Sequence, residues 1–64
     1  MRIGDIVTFK DESIYKTIDE YSDIVGIVVD DQIRIKIIWT YTNGDICSES
    51  TSQAWAHHLL RVIT

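Results

Sequence analysis

Residues 33–40 read Ile-Arg-Ile-Lys-Ile-Ile-Trp-Thr, and this alternation constrains the chain more than any other feature. Side chains of a β-strand point to opposite faces in turn. Ile33, Ile35, Ile37 and Trp39 therefore share one face, while Arg34, Lys36 and Ile38 take the other. A helix would scatter the same residues around its circumference. Soon afterwards comes Thr42-Asn43-Gly44-Asp45, and Asn-Gly is the strongest short hairpin signal because tight hairpin turns need positive φ. An antiparallel sheet is the expected frame.

The remaining segments fit that frame. Residues 3–10 form a first strand that begins at a Gly4-Asp5 turn, with Val7 and Phe9 on one face and Ile6 and Thr8 on the other. Residues 24–30 form a second strand, apolar on both faces. Gly26 inside it marks a bulge, a bend or a close backbone approach. Asp30-Asp31-Gln32 turns the chain into the alternating third strand, residues 46–50 make a fourth and residues 60–63 a fifth. Ser52 caps a helical turn over residues 53–57. Twelve Ile, five Val and six Thr make 23 of the 64 residues β-branched, which suits a pleated surface better than a helix. Residues 11–23 read two ways. Ile14, Ile18 and Tyr21 fall on a helical stripe that Asp11 or Ser13 would cap; alternatively, a long loop folds back and buries the same Ile residues. The expected core is Val7, Phe9, Ile24, Val28, Ile33, Ile35, Ile37, Trp39, Ile46, Leu60 and Val62. Strands this short and numerous point to an all-β, five-stranded closed barrel, which removes exposed sheet edges.

A chain of 64 residues holds a single domain, residues 1–64, and needs nearly all of its apolar side chains as core. Cys47 stands alone, which excludes an intrachain disulfide and suits a reducing compartment. No apolar run is long enough to span a membrane, and the opening Met1-Arg2-Ile3-Gly4-Asp5 lacks a signal-peptide pattern. A cytoplasmic protein with no membrane partner is expected. The net charge of −4 argues against a strongly cationic nucleic-acid binder. His57-His58 with Cys47 and Glu49 lacks metal-ligand spacing, since adjacent histidines point apart. A Cys47–His57 dyad would have no pocket to shield a reaction from water. The expectation is a non-enzymatic protein with no cofactor and no metal.

Gly4-Asp5-Ile6-Val7-Thr8-Phe9 is similar to the opening "G-D-x-V" strand of SH3-like small barrels, of the KOW and Tudor sort. Gly26-Ile27-Val28-Val29 is similar to their "G-x-V" second strand. Ile33 through Trp39 resembles the long third strand, and Leu60-Arg61-Val62-Ile63 resembles the closing "L-x-V-I" strand. The resemblance covers nearly the whole chain and implies a five-stranded SH3-like barrel, with a long first connection and one helical turn before the last strand. The length and Ile-rich composition also resemble small phage-encoded SH3-fold proteins of unknown function. KOW modules that bind RNA are usually basic, and this chain departs from them in being acidic.

Three surfaces are candidates. The first connection interleaves Tyr15 and Tyr21 with Asp19, Glu20 and Asp23. With Trp55, these residues compose an acidic rim around apolar anchors, suited to a basic protein surface, for instance that of a host protein which the chain modulates. Lys10, Arg34, Lys36 and Arg61 would serve a KOW-like RNA- or DNA-binding role instead. A structural or homo-oligomeric part in a larger assembly is the third reading. In Tudor-like barrels, loop aromatics form a cation-binding cage. Tyr15, Tyr21 and Tyr41 would suit one, unless the Tyr rings only cover the core edge while Trp39 and Trp55 close the two barrel ends.

Overall fold

The computed structural model describes residues 1–63. Its elements in chain order are β1 (Ile6–Phe9), a 3₁₀ turn (Ile14–Thr17), β2 (Val25–Asp30), β3 (Ile35–Thr40), β4 (Ile46–Thr51), α1 (Gln53–Leu59) and β5 (Leu60–Val62). The five strands form one antiparallel sheet in the order β4-β3-β2-β1-β5. The expected closed barrel is not formed. Among the described residues β4 and β5 remain the edges of the sheet.

The sheet is nevertheless strongly curled, and chain length requires it. Four strand steps would hold the edges about 19 Å apart in a flat sheet. The link between them, α1, has seven residues, which rise only about 10 Å. The edges must approach for so short a helix to connect them, and the concave side becomes the core. Val7, Phe9, Ile24, Val28, Ile35, Ile37, Trp39, Ala56 and Leu60 are buried there.

Cross-strand register decides which apolar residues belong to that core. Ile35, Ile37 and Trp39 are buried on alternate positions of β3, as the pattern predicts. Three expected core residues are not. Ile33 lies on the bend before β3 begins and is 89% exposed. Ile46 pairs with Thr40 on the outer face and is 71% exposed. Val62 lies on β5, an edge strand of the sheet, and is 41% exposed. Ala56 takes a core place that its small side chain does not announce in the sequence.

The outer face carries its own apolar row, because Ile6 pairs with Ile27 and Ile27 with Ile38. Gly26 is a close backbone approach: it pairs with Trp39, and the register shift falls later, between Val28 and Asp30. At the β3–β4 hairpin, Gly44 has φ +93° and Asn43 Oδ1 accepts the Asp45 N–H at 2.9 Å.

Residues 11–23 adopt neither expected form in full. Ser13 caps one 3₁₀ turn by accepting the Tyr15 N–H at 3.1 Å, and turns follow. Ile14 and Ile18 are 70% and 38% exposed, so the Ile stripe does not face the core. Tyr15 and Tyr21 pack against it instead. The connection is fastened at both ends and across its middle. Thr8 Oγ1 donates to Ile24 O at 2.9 Å, Ser13 N to Lys10 O at 2.9 Å, and Lys16 Nζ to Ser22 O at 2.8 Å.

Candidate aromatic binding site

All six aromatic side chains of the protein converge on one place. Phe9 is the hub. It stacks between Tyr15 (centroids 4.7 Å apart, 19° between planes) and Trp39 (5.1 Å, 7°), and meets Tyr21 and Trp55 edge-on at 6.4 and 6.3 Å. Tyr15 contacts Tyr21 at 5.8 Å and Trp55 at 6.1 Å, and Tyr21 contacts Tyr41 at 6.3 Å. Stacked and edge-on pairs of this kind add about 0.5–1.5 kcal/mol each beyond area burial. The cluster therefore stabilises the fold and fixes its own ring positions.

Separate elements supply the rings. Phe9 ends β1, Trp39 lies on the inner face of β3, and Tyr41 begins the β3–β4 hairpin. Tyr15 and Tyr21 arrive on the first connection. Trp55 arrives on α1, whose first turn is held by Ser52 Oγ accepting the Trp55 N–H at 3.1 Å. Phe9 and Trp39 are buried, while Tyr15, Tyr21, Tyr41 and Trp55 are half-buried. A buried floor with a half-buried rim leaves a pocket of about 220 Å³, lined by the six rings, Ile24 and Glu49. Trp39 and Trp55 thus line one pocket; they do not close opposite ends of the sheet.

Glu49 is the one charged residue in that lining. It reaches the pocket because β4 pairs Glu49 with Ile37 and Cys47 with Trp39, which puts both on the concave face. A second depression of about 310 Å³ adjoins the first at Tyr41 and is lined by Glu20, Thr42, Asn43 and Asp45. Three carboxylates thus flank the aromatic pocket or its neighbour, and no cation lines either. Burial raises the Tyr41 phenol above its usual value. The Cys47 thiol, by its charge and its hydrogen bond, and then the charges of Tyr21 and Glu49 add to the effect.

The structure brings together Tyr15, Tyr21 and Trp55, with Glu20 alongside. Asp19 and Asp23 are exposed and line neither depression. Asp45, Phe9 and Trp39 do not read as site residues in the sequence, and Glu49 enters there only in the rejected metal grouping with Cys47, His57 and His58. Phe9 and Trp39 read as core, and they are core as well as floor. Placing Glu49 required the β3–β4 register, which only the alternation of β3 together with the hairpin length could have supplied.

The four basic residues fall into two pairs, Arg34 with Lys36 and, along the β1–β5 ladder, Lys10 with Arg61. Arg34 and Lys36 border a separate depression with Asp30, and Arg34 donates to Ser50 Oγ and O at 3.1 and 3.2 Å. Arg61 pairs with Thr8 at the other end of the sheet. Lys10 Nζ is held by His57 O at 2.9 Å. His57 and His58 are exposed, and no group of three or more His, Cys, Asp or Glu residues is placed to hold a metal ion among the described residues. No described helix is long and apolar enough to cross a membrane. No protein-family model, curated protein or solved structure matches the chain.

Proposed function

We propose that this chain is a non-enzymatic protein-binding module on an SH3-like scaffold, a phage accessory protein that docks on a host protein and alters its action. The observation that carries the reading is the gathering of every aromatic residue around one open pocket with carboxylates beside it. Half-buried aromatic rings supply binding area at small entropic cost, and surrounding acids steer a basic surface towards them. The strand order and the helix before β5 support the SH3-like assignment. Against a KOW-like nucleic-acid role stand the net charge of −4 and the division of its four basic residues into one pair beside β3 and another on the β1–β5 ladder.

The test is affinity capture from bacterial lysate, run beside binding to mixed nucleic acid at low and moderate salt. A single stoichiometric protein, retained by the Arg34→Glu/Lys36→Glu variant and lost from Glu20→Lys/Asp45→Lys, is the expected result. Salt-sensitive nucleic-acid binding lost on Arg34→Glu/Lys36→Glu would establish the other role.

The outer-face row of Ile6, Ile27 and Ile38 favours a second reading, self-association within a larger assembly. Sedimentation of wild type beside Ile27→Lys measures it, because a dimer built on that row dissociates in the variant.

A further inference from the structure

We infer that β4 pairs along its free edge with β4 of a second copy, antiparallel about a two-fold axis at Ser48, so that two sheets join into one. The inference goes beyond both readings above, which use the aromatic pocket and the outer-face row. β4 and β5 are the edges of the sheet. β5 has three residues, whereas β4 has six, paired with β3 in unbroken register from Ile35–Thr51 to Thr40–Ile46. Proteins guard such edges with Pro, Lys, bulges or a covering element. β4 reads Ile-Cys-Ser-Glu-Ser-Thr, with no Pro, no Lys and no bulge.

The β3–β4 hairpin fixes which backbone groups this edge presents. Tyr41 N–H donates to Asp45 O at 2.8 Å, and Gly44 N–H to Tyr41 O at 3.0 Å. Hydrogen-bonded pairs alternate from there along an antiparallel ladder. Trp39–Cys47, Ile37–Glu49 and Ile35–Thr51 are therefore the bonded pairs, and the N–H and C=O groups of Ile46, Ser48 and Ser50 point away from β3. The Ser50 carbonyl agrees with this direction, since it accepts from the Arg34 guanidinium at 3.2 Å. Among the described residues no other segment's backbone bonds to the three outward N–H groups.

Charge then selects the register. A two-fold axis at Cys47 would set Asp45 opposite the second copy's Glu49, and an axis at Glu49 would set the two Glu49 carboxylates face to face. Like charges directly opposite are destabilising. An axis at Ser48 avoids both. Ile46 then faces Ser50, Ser48 faces its own copy, and Glu49, the only charged residue of β4, faces Cys47. The strand thus suits a second copy of itself in one register, as a two-fold contact requires. Arg34 would give up the Ser50 carbonyl and keep Ser50 Oγ, now at 3.1 Å. Both concave faces would lie on the same side of the joined sheet, presenting two aromatic pockets together.

The experiment is sedimentation of the whole protein up to millimolar concentration, because one strand buries less than a standard interface. Wild type should show a monomer–dimer equilibrium. Ser48→Pro removes an N–H that the β3 ladder does not use, on the side of an edge strand where Pro is tolerated. It should weaken dimerisation roughly tenfold or more. Ser48→Lys, which sets two like charges at the axis, should do the same, and thermal unfolding checks that both variants stay folded. Ile27→Lys should leave this dimer intact. Under mild oxidation Cys47→Ser/Ser48→Cys should cross-link, whereas Cys47→Ser/Ser50→Cys should not, its sulfurs lying beyond disulfide reach. A chain that stays monomeric, or a dimer lost in Ile27→Lys and untouched by Ser48→Pro and Ser48→Lys, would overturn the edge pairing. Faster cross-linking at position 50 than at 48 would overturn the register. The capture experiment above decides the pocket reading separately.

Discussion

Gly26 of β2 and Trp39 of β3 are cross-strand partners, and the indole lies where a side chain at position 26 would stand. A Cβ there would sit 2.8 Å from Trp39 Cε3 and 2.5 Å from Ile37 Cγ2. Both neighbours are buried, and Trp39 is also the floor of the aromatic pocket and the stacking partner of Phe9. One missing methyl group thus sets how close the floor lies to the sheet. Gly26→Ala should destabilise the protein by about 1–3 kcal/mol through overpacking. It should also change the near-ultraviolet circular dichroism of the ring cluster. Urea unfolding measures the first effect, and an unchanged midpoint would show that Trp39 yields without cost.

Ser52 fixes Trp55 through a single capping hydrogen bond to its N–H. Ser52→Ala leaves that donor unsatisfied at the start of α1 and should cost about 1 kcal/mol. The larger consequence is local. Trp55 should gain freedom at the pocket rim, so its fluorescence should shift to longer wavelength and become easier to quench with iodide. Unaltered quenching would mean that the ring contacts with Phe9 and Tyr15 hold Trp55 without the cap.

Ile33 and Ile37 look equivalent in the sequence, four positions apart on one face of an alternating run, yet they are 89% and 0% exposed. The alternation is legible because it belongs to the strand. Where the strand starts is not, because Asp31 to Arg34 form the bend that brings β2 back. Ile37→Ala should cost about 2–5 kcal/mol, as removal of a core side chain with little collapse around it. Ile33→Thr should stay within about 0.5 kcal/mol of wild type. Equal losses at the two sites would contradict the register of β3.

The same limit explains the site. Tyr15, Tyr21 and Trp55 are legible as rim residues because a half-polar aromatic in a connection or at a helix start can pack its ring on the core edge and keep its polar atom outside. The stripe of Ile14 and Ile18 misled because a 3₁₀ turn rotates side chains by a different angle from an α-helix, and here the tyrosines face inward instead. Glu49 and Asp45 join the site only through the pairing of β3 with β4, a non-local fact. Closure of the sheet was also illegible. It depends on whether the two edge strands pair, and short α1 brings those edges together without pairing them.

Tyr41 connects the two depressions, and its ionisation reports on their charge. Burial disfavours the phenolate most, followed by the Cys47 thiol and then by the negative charges of Tyr21 and Glu49, so the phenol titrates above 10.0 in the folded protein. The folded state therefore holds this proton to higher pH than the unfolded chain does. Protons bound preferentially by the folded state make stability fall as pH rises. This contribution is fully present below about pH 10, declines as pH climbs from 10.0 towards the folded value, and is constant beyond it. The tyrosinate absorbance of wild type minus that of Tyr41→Phe isolates the group, and urea midpoints across the alkaline range give the linked stability. Glu49→Gln removes one of the opposing charges, so it should bring the Tyr41 titration back towards 10.0 and flatten the alkaline loss. A Tyr41 titration unaffected by Glu49→Gln would show that burial, the Cys47 thiol and Tyr21 set the shift without that carboxylate.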